Sequence, residues 1–430
     1  MSAIKALPDE KSKTSPASPA PHLWESTLPF LRDPYRYISR ECDRLGTNAF
    51  RTRLLFQDAV MMRGPEAAKL FYNENFFVRR KAPPRRLVVT FFGKGAVQGL
   101  DEQAHRQRKQ LFMTLITDAQ LEKLRRCAWE EWTKASLRWR TKQQIVFYEE
   151  AREVMFRTAC RWAEVPIDEK EVATWTNQIA SIYEDAASVG PRYWRARANR
   201  TRLDRRLSGI IEGVHNETLK PSTQSALNLF AHAPNADGTP LSVRIAAREL
   251  QNLIRPTTAV SVFITQAFLA LHQFPSSKSR LHQGNETDLL NFVQEVRRYF
   301  PFFPAVIARA KSGFRWKGIS FRKGTRAVLD LYGANHDPSV WESPHEFRPE
   351  RFENWNGDPF TFIPQGGGDP LTNHRCPGEK MAIELMKVSL DFLLQNDLYE
   401  VPPQDLDLTW NAPPALPRSG LILKLRPSRT

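Results

Sequence analysis

The chain has 430 residues, 41% of them hydrophobic and 11% aromatic, which is enough to bury a large core and excludes a disordered or fibrous class. Lysine and arginine total 62 against 47 acidic residues, a formal charge of +15, so anionic partners have to be weighed. The four cysteines, Cys42, Cys127, Cys160 and Cys376, are widely spaced with no C-x-x-C pair, which argues against a disulfide framework or a zinc site.

Residues 1–24, rich in Ser, Pro, Lys and Ala, read as a disordered leader without the apolar core of a signal peptide, and 25–430 as a single domain. No run of about 18 apolar residues occurs, so a soluble, cytoplasmic chain without a transmembrane anchor is expected. Alternation over 49–55 and a second run at 59–62 predict a hairpin turning across Phe56, Gln57 and Asp58. A helix over 65–72 follows. From 105 to 271 apolar residues mostly recur at three and four, which predicts a long helical middle broken at Gly190-Pro191, Lys220-Pro221 and 235–240. Within it, 192–206 carries seven arginines in fifteen positions. With no nucleic-acid fold signature beside them, they read as a solvated helical face, and no nucleic-acid partner is expected. After 299 short strands take over, punctuated by Gly313, Gly318 and Gly324, with Val328-Leu329-Asp330-Leu331 as a buried strand. The class is therefore mainly α with small β-sheets.

One helix stands apart, over 242–272, after Thr239-Pro240 and before Pro275. About 30 residues at 1.5 Å each reach roughly 45 Å, enough to cross a domain of this size. Arg255-Pro256 stands in its apolar middle. A guanidinium there needs an anionic partner, because desolvating an unpaired charge is costly. Pro256 also removes an N–H, which frees the carbonyl of Asn252 and kinks the helix. The sequence offers no obvious carboxylate for Arg255. The partner is read as the carboxylate of a substrate; the alternative is a structural salt bridge to an acid distant in sequence.

Three further motifs follow. Glu295-Val296-Arg297-Arg298 places Glu295 and Arg298 on one helical face, and Arg351 in Phe347-Arg348-Pro349-Glu350-Arg351-Phe352 can fork onto the same carboxylate. Cys376 lies in F-I-P-Q-G-G-G-D-P-L-T-N-H-R-C-P-G-E, just before an apolar helix over 379–394. Helix N-terminus, His374 and Arg375 are expected to hold the thiol as its anion, the form in which it ligates metal. Gly366, Gly367 and Gly368 let the backbone pass close to a flat macrocycle.

E-x-x-R, then P-E-R-F, then a glycine-rich loop into Cys-Pro-Gly is a specific set, and it resembles the cytochrome P450 superfamily of haem-thiolate oxygenases. The resemblance implies a haem-thiolate fold with the long central helix over the haem, haem b (iron protoporphyrin IX) as cofactor and Cys376 as axial ligand. His105 and Lys109, one helical turn apart, would face a haem propionate, with His374, Arg375, Gly367 and Gly368 also around the cofactor.

Most such enzymes carry an acid followed by an alcohol where this chain has Arg255-Pro256. That substitution resembles the fatty-acid peroxygenases, which hydroxylate free fatty acids at the α or β carbon with hydrogen peroxide and without a redox partner. The resemblance implies that Arg255 binds the fatty-acid carboxylate and that this carboxylate is the general acid–base that splits peroxide. Gln98, in Phe91-Phe92-Gly93-Lys94-Gly95-Ala96-Val97-Gln98, falls where hydroxylating members carry glutamine, and Phe92 and Phe302 would line the acyl channel. Asp369 and Asn373 depart from the family's loop, although Asn373 can adopt left-handed geometry and keep the turn. Phe303 and Ala305 also depart, near the pocket. Fatty-acid decarboxylation to a terminal alkene, a reductase-dependent monooxygenase and an isomerase or dehydratase acting on a hydroperoxide are the alternatives.

Overall fold

The computed structural model describes residues 5–6, 23–396 and 399–426. Its axis is the helix Val243–Gln273, 31 residues long and started by Ser242, whose hydroxyl accepts the N–H of Ile245. Polar residues cannot be avoided over eight turns, yet the helix is buried nearly all round, as an all-round apolar helix in a large core must be. It packs on the helices Phe147–Ala163, Pro191–His215 and Glu379–Gln395. By length and composition it could cross a membrane, but its most apolar window is 94% buried inside the fold, which makes it a core helix.

Five strands form the main sheet, in the order Ala49–Leu54, Gln57–Met62, Arg326–Asp330, Ala305–Ala310 and Phe77–Val78. Only the pairing of Gln57–Met62 with Arg326–Asp330 is parallel. The hairpin turn starts one residue earlier than the alternation predicts and is one residue shorter. Leu54 pairs with Gln57, so Leu55 and Phe56 form the turn, both with positive φ (54° and 57°). The helical middle begins at Glu102 and is interrupted by a short strand, Gln144–Val146, that pairs with Ile422–Leu425. Of the expected leader, Lys5–Ala6 pair with Phe314 and Arg315, Leu23 and Trp24 are described, and 1–4 and 7–22 lie outside the described residues.

Glu295 ties the helical and strand-rich halves together. Its carboxylate takes a two-pronged pair from Arg298 (2.7 and 2.8 Å), the Arg348 amide (2.7 Å) and Arg351 Nε (3.2 Å). Arg298 also donates to the carbonyls of Asn335, Pro344 and Glu346. Glu295 and Arg298 are wholly buried, and these bonds satisfy the charges that burial would otherwise penalise. The structure thus brings Glu295, Arg298 and Arg351 together.

The arginine-rich face also behaves largely as a solvated one. Arg192 and Arg195 are exposed and share Asp185. Arg200 is the exception: it is fully buried, bound to Asp204 and to the carbonyl of Phe91.

Candidate active site

The loop before Cys376 is closed by its own short-range bonds. Gly366 and Gly368 take positive φ (94° and 84°), a conformation that favours glycine. Gly367 is needed for a different reason from the one expected: a Cβ there would fall 2.8 Å from the carbonyl of Pro359, so its bareness serves packing against protein. Asp369 caps the amides of Leu371 and Thr372, and Asn373 accepts the amide of Asp369. Asn373 is not among the positive-φ residues; it keeps the turn through its side chain instead.

The electrostatics around the thiol differ from the sequence reading. Arg375 turns to Glu379 (2.6 Å), and His374 stacks on His105 with ring centres 3.7 Å apart, so neither is aimed at Cys376. Arg297 also binds Glu379 and donates to Gln365 Oε1 (3.0 Å), which leaves the Gln365 NH2 facing Cys376 Sγ at 3.8 Å. Burial pushes the thiol up, as does Glu379, while the Gly378 amide, Lys109 and Arg297 pull it down. A bound metal ion would favour the thiolate directly.

Lys109 is buried and donates to the carbonyls of Asn373 and Arg375 (the latter at 2.8 Å), clamping the cysteine loop to the helix Glu102–Met113. Its pKa falls to about 8 by burial, and that of its helix neighbour His105 to about 4 from the same cause and from Lys109. His105 Nδ1 has no partner. Arg79, which the sequence reading missed, joins them: it lies over Phe71 (4.2 Å) with no ion pair among the described residues, and burial lowers it to about 10. Its signal, a basic pair after Phe77-Val78, is too common to read without the fold.

On the opposite wall, Arg255 is 4% exposed. Its Nη2 donates to Asn252 Oδ1 (3.1 Å), its Nε has no partner, and its guanidinium lies 4.0 Å from the Phe91 ring centre. No carboxylate pairs with it among the described residues. Burial pulls its pKa down to about 9, helped by Arg200 and opposed by Cys376, which is thus within electrostatic reach. Arginine keeps its proton in proteins, so this buried guanidinium is a cation that a bound anion would stabilise. Pro256 alone between Glu249 and Leu271 is exposed.

Gln98 Oε1 is also buried without a partner. Phe92 meets Phe91 edge-on (4.8 Å), and Phe91 meets Phe303 (6.0 Å). Phe302 stacks on Phe263 of the central helix (4.4 Å) and meets Phe303. Phe91 and Phe92 end a π-helical turn, Val88–Phe92, a geometry that re-aims side chains and often marks functional sites. The residues that sequence reasoning missed, Phe91, Asn252 and Glu249, adjoin Arg255 or its helix face.

These observations fit a flat group that carries its own metal ligands and an anionic edge. Among the described residues no three His, Cys, Asp or Glu side chains could hold a bare metal ion, whereas Cys376 is a lone free thiol and the cations Lys109, Arg79 and Arg255 pair with no carboxylate. A haem meets each condition.

Comparison with known proteins agrees. The cytochrome P450 family model matches residues 288–424. The fold overlays on cytochrome P450SP alpha in complex with (R)-ibuprofen at a TM-score of 0.91 and 41% identity, covering 94% of this chain and 99% of that one. It overlays equally on cytochrome P450EX alpha with myristic acid (TM-score 0.91, 38% identity, 95% and 100% covered). Cytochrome P450 3A15 of Cavia porcellus is 26% identical over 238 residues, 49% of this chain and 46% of that protein, so the chain matches about half the length of that relative. The chain belongs to the cytochrome P450 superfamily, a haem-binding class, and within it to the fatty-acid peroxygenases of the CYP152 group.

Proposed function

We propose that this protein hydroxylates free fatty acids at the α or β carbon with hydrogen peroxide, bound to haem b and needing no redox partner. Residues 25–430 would act as one soluble, cytoplasmic domain. The observation that carries the reading is Arg255: a buried guanidinium without a carboxylate, within electrostatic reach of Cys376.

A fatty-acid head group docking on Arg255 supplies the missing anion in a dry setting, where a charge-assisted pair is strong. Phe91 covers one face of the guanidinium, so the head group approaches the edge where Nε–H is unused. The docked carboxylate can take a proton from one oxygen of hydrogen peroxide and return it to the other, the transfer that heterolytic O–O cleavage requires. Cys376 would hold the haem, which when bound would supply the iron centre for that cleavage. Arg79, His105, Lys109 and Arg375 would hold its propionates, while Phe92, Phe302 and Phe303 would line the acyl chain. Pro256 supplies no N–H that could compete for the head group. Gln98 favours hydroxylation over decarboxylation by family resemblance.

The test incubates haem-loaded protein with myristate and hydrogen peroxide and identifies products by mass spectrometry. 2- or 3-Hydroxymyristate should form without a reductase. Arg255→Ala should abolish this while keeping the thiolate-type haem spectrum, and in the wild type a short carboxylic acid docked on Arg255 should support oxidation of a substrate lacking the group. Turnover only with a reductase, or Arg255→Ala working at the wild-type rate, would overturn the reading.

A further inference from the structure

We propose that Glu249 is a positioning residue: by accepting hydrogen bonds and never donating them, its carboxylate orients the Asn252 amide and thereby aims the Arg255 guanidinium. This deepens the function proposed above and rests on it.

Glu249 has no exposed surface, and both its oxygens are used. Oε1 accepts from Arg108 Nη1 (2.8 Å) and from the amide of Val97 (2.9 Å), and Oε2 accepts from Asn252 Nδ2 (3.2 Å). An ionised carboxylate has no hydrogen to give, so the Asn252 NH2 must face it. The Asn252 carbonyl oxygen must then face the other way, where it accepts from Arg255 Nη2 (3.1 Å). Glu249, Asn252 and Arg255 follow at i, i+3 and i+6, one stripe of the central helix.

Arg108 makes the arrangement tolerable. It balances a charge that would be costly alone, and Asn235 Oδ1 (3.1 Å) steadies its other nitrogen. The Val97 amide belongs to the residue before Gln98. One buried carboxylate therefore fixes the anchor on the central helix and the turn that bears Gln98.

Glu249→Gln keeps size and an acceptor for Arg108 and Val97 but turns an NH2 toward Asn252. The Asn252 amide has to turn over, and its NH2 then meets Arg255 donor to donor. Losing this orienting bond should weaken fatty-acid binding roughly tenfold, the scale of one charge-assisted hydrogen bond. A neutral azole that binds the haem without touching Arg255 should bind as before.

The experiment titrates haem-loaded wild type, Glu249→Gln and Asn252→Leu calorimetrically with myristate and with a neutral azole. Asn252→Leu removes the acceptor directly, so it decides alone should Glu249→Gln not fold. A loss confined to myristate supports the role. Unchanged myristate affinity in the folded variants, or equal loss of both ligands, overturns it while the proposed function stands. Failure of wild type to bind myristate would overturn both.

Discussion

The guanidinium carbon of Arg255 lies over the ring of Phe91, 4.0 Å from its centre. A cation over an aromatic face in a dry site is worth about 1–2 kcal/mol. In Phe91→Leu the pocket stays apolar but the ring face is lost, so Arg255 is held less firmly. The dissociation constant for a fatty acid should rise about fivefold, as read by calorimetric titration, with haem content unchanged.

Removing Arg298 takes the two-pronged partner from the buried Glu295 carboxylate, leaving it the Arg348 amide and Arg351, and frees the carbonyls of Asn335 and Pro344. Breaking a buried pair from one side costs about 3–5 kcal/mol. Arg298→Met should lower the urea midpoint accordingly, or prevent folding at 37 °C. Surface pairs such as Arg36 with Asp33 should cost under about 1 kcal/mol when broken.

The turn Leu55-Phe56 asks two large L-residues for left-handed backbone, a cost of roughly 1–2 kcal/mol each. Phe56 is 82% exposed, so packing returns little. Replacing the pair by Asn-Gly, which suits a two-residue hairpin, should stabilise the protein by about 1–2 kcal/mol in denaturant melts without altering activity.

His336 is buried, its Nδ1 bonded to the Tyr332 carbonyl, and burial together with Arg298 lowers its pKa from 6.5 to about 3. The unfolded chain takes up a proton below pH 6.5 that the folded one refuses until about pH 3, so His336 makes stability fall as pH drops through that window. Asp330 acts in the opposite sense: burial raises it from 3.8 to about 6, so its part of the stability falls as pH rises between those values. Asp330→Asn should therefore leave His336 unopposed and steepen the acid loss, seen as a larger drop in melting temperature between pH 6 and pH 4.

Much of the site was legible because its chemistry is local in sequence. The glycine loop, Cys376, the Glu295–Arg298 spacing, the capped central helix and the unmatched Arg255 all appear within short windows. Glu249-x-x-Asn252-x-x-Arg255 was also there to be read as a helical stripe, but its meaning depends on Arg108, 141 residues earlier, claiming the carboxylate. Side-chain direction was not legible. His374 and Arg375 adjoin Cys376 along the chain yet turn to His105 and Glu379, and the π-turn sets Phe91 over Arg255. Likewise Leu55-Phe56 defied turn chemistry, since strand pairing set the register.

The backbone N–H of Arg348 ends on Glu295 Oε1, a bond made by neither helix nor sheet. Deuterium can reach that hydrogen only when its bond to Glu295 opens. Its exchange rate is thus a built-in gauge of how often the seam opens, and haem loading should slow it if cofactor and seam belong to one cooperative unit.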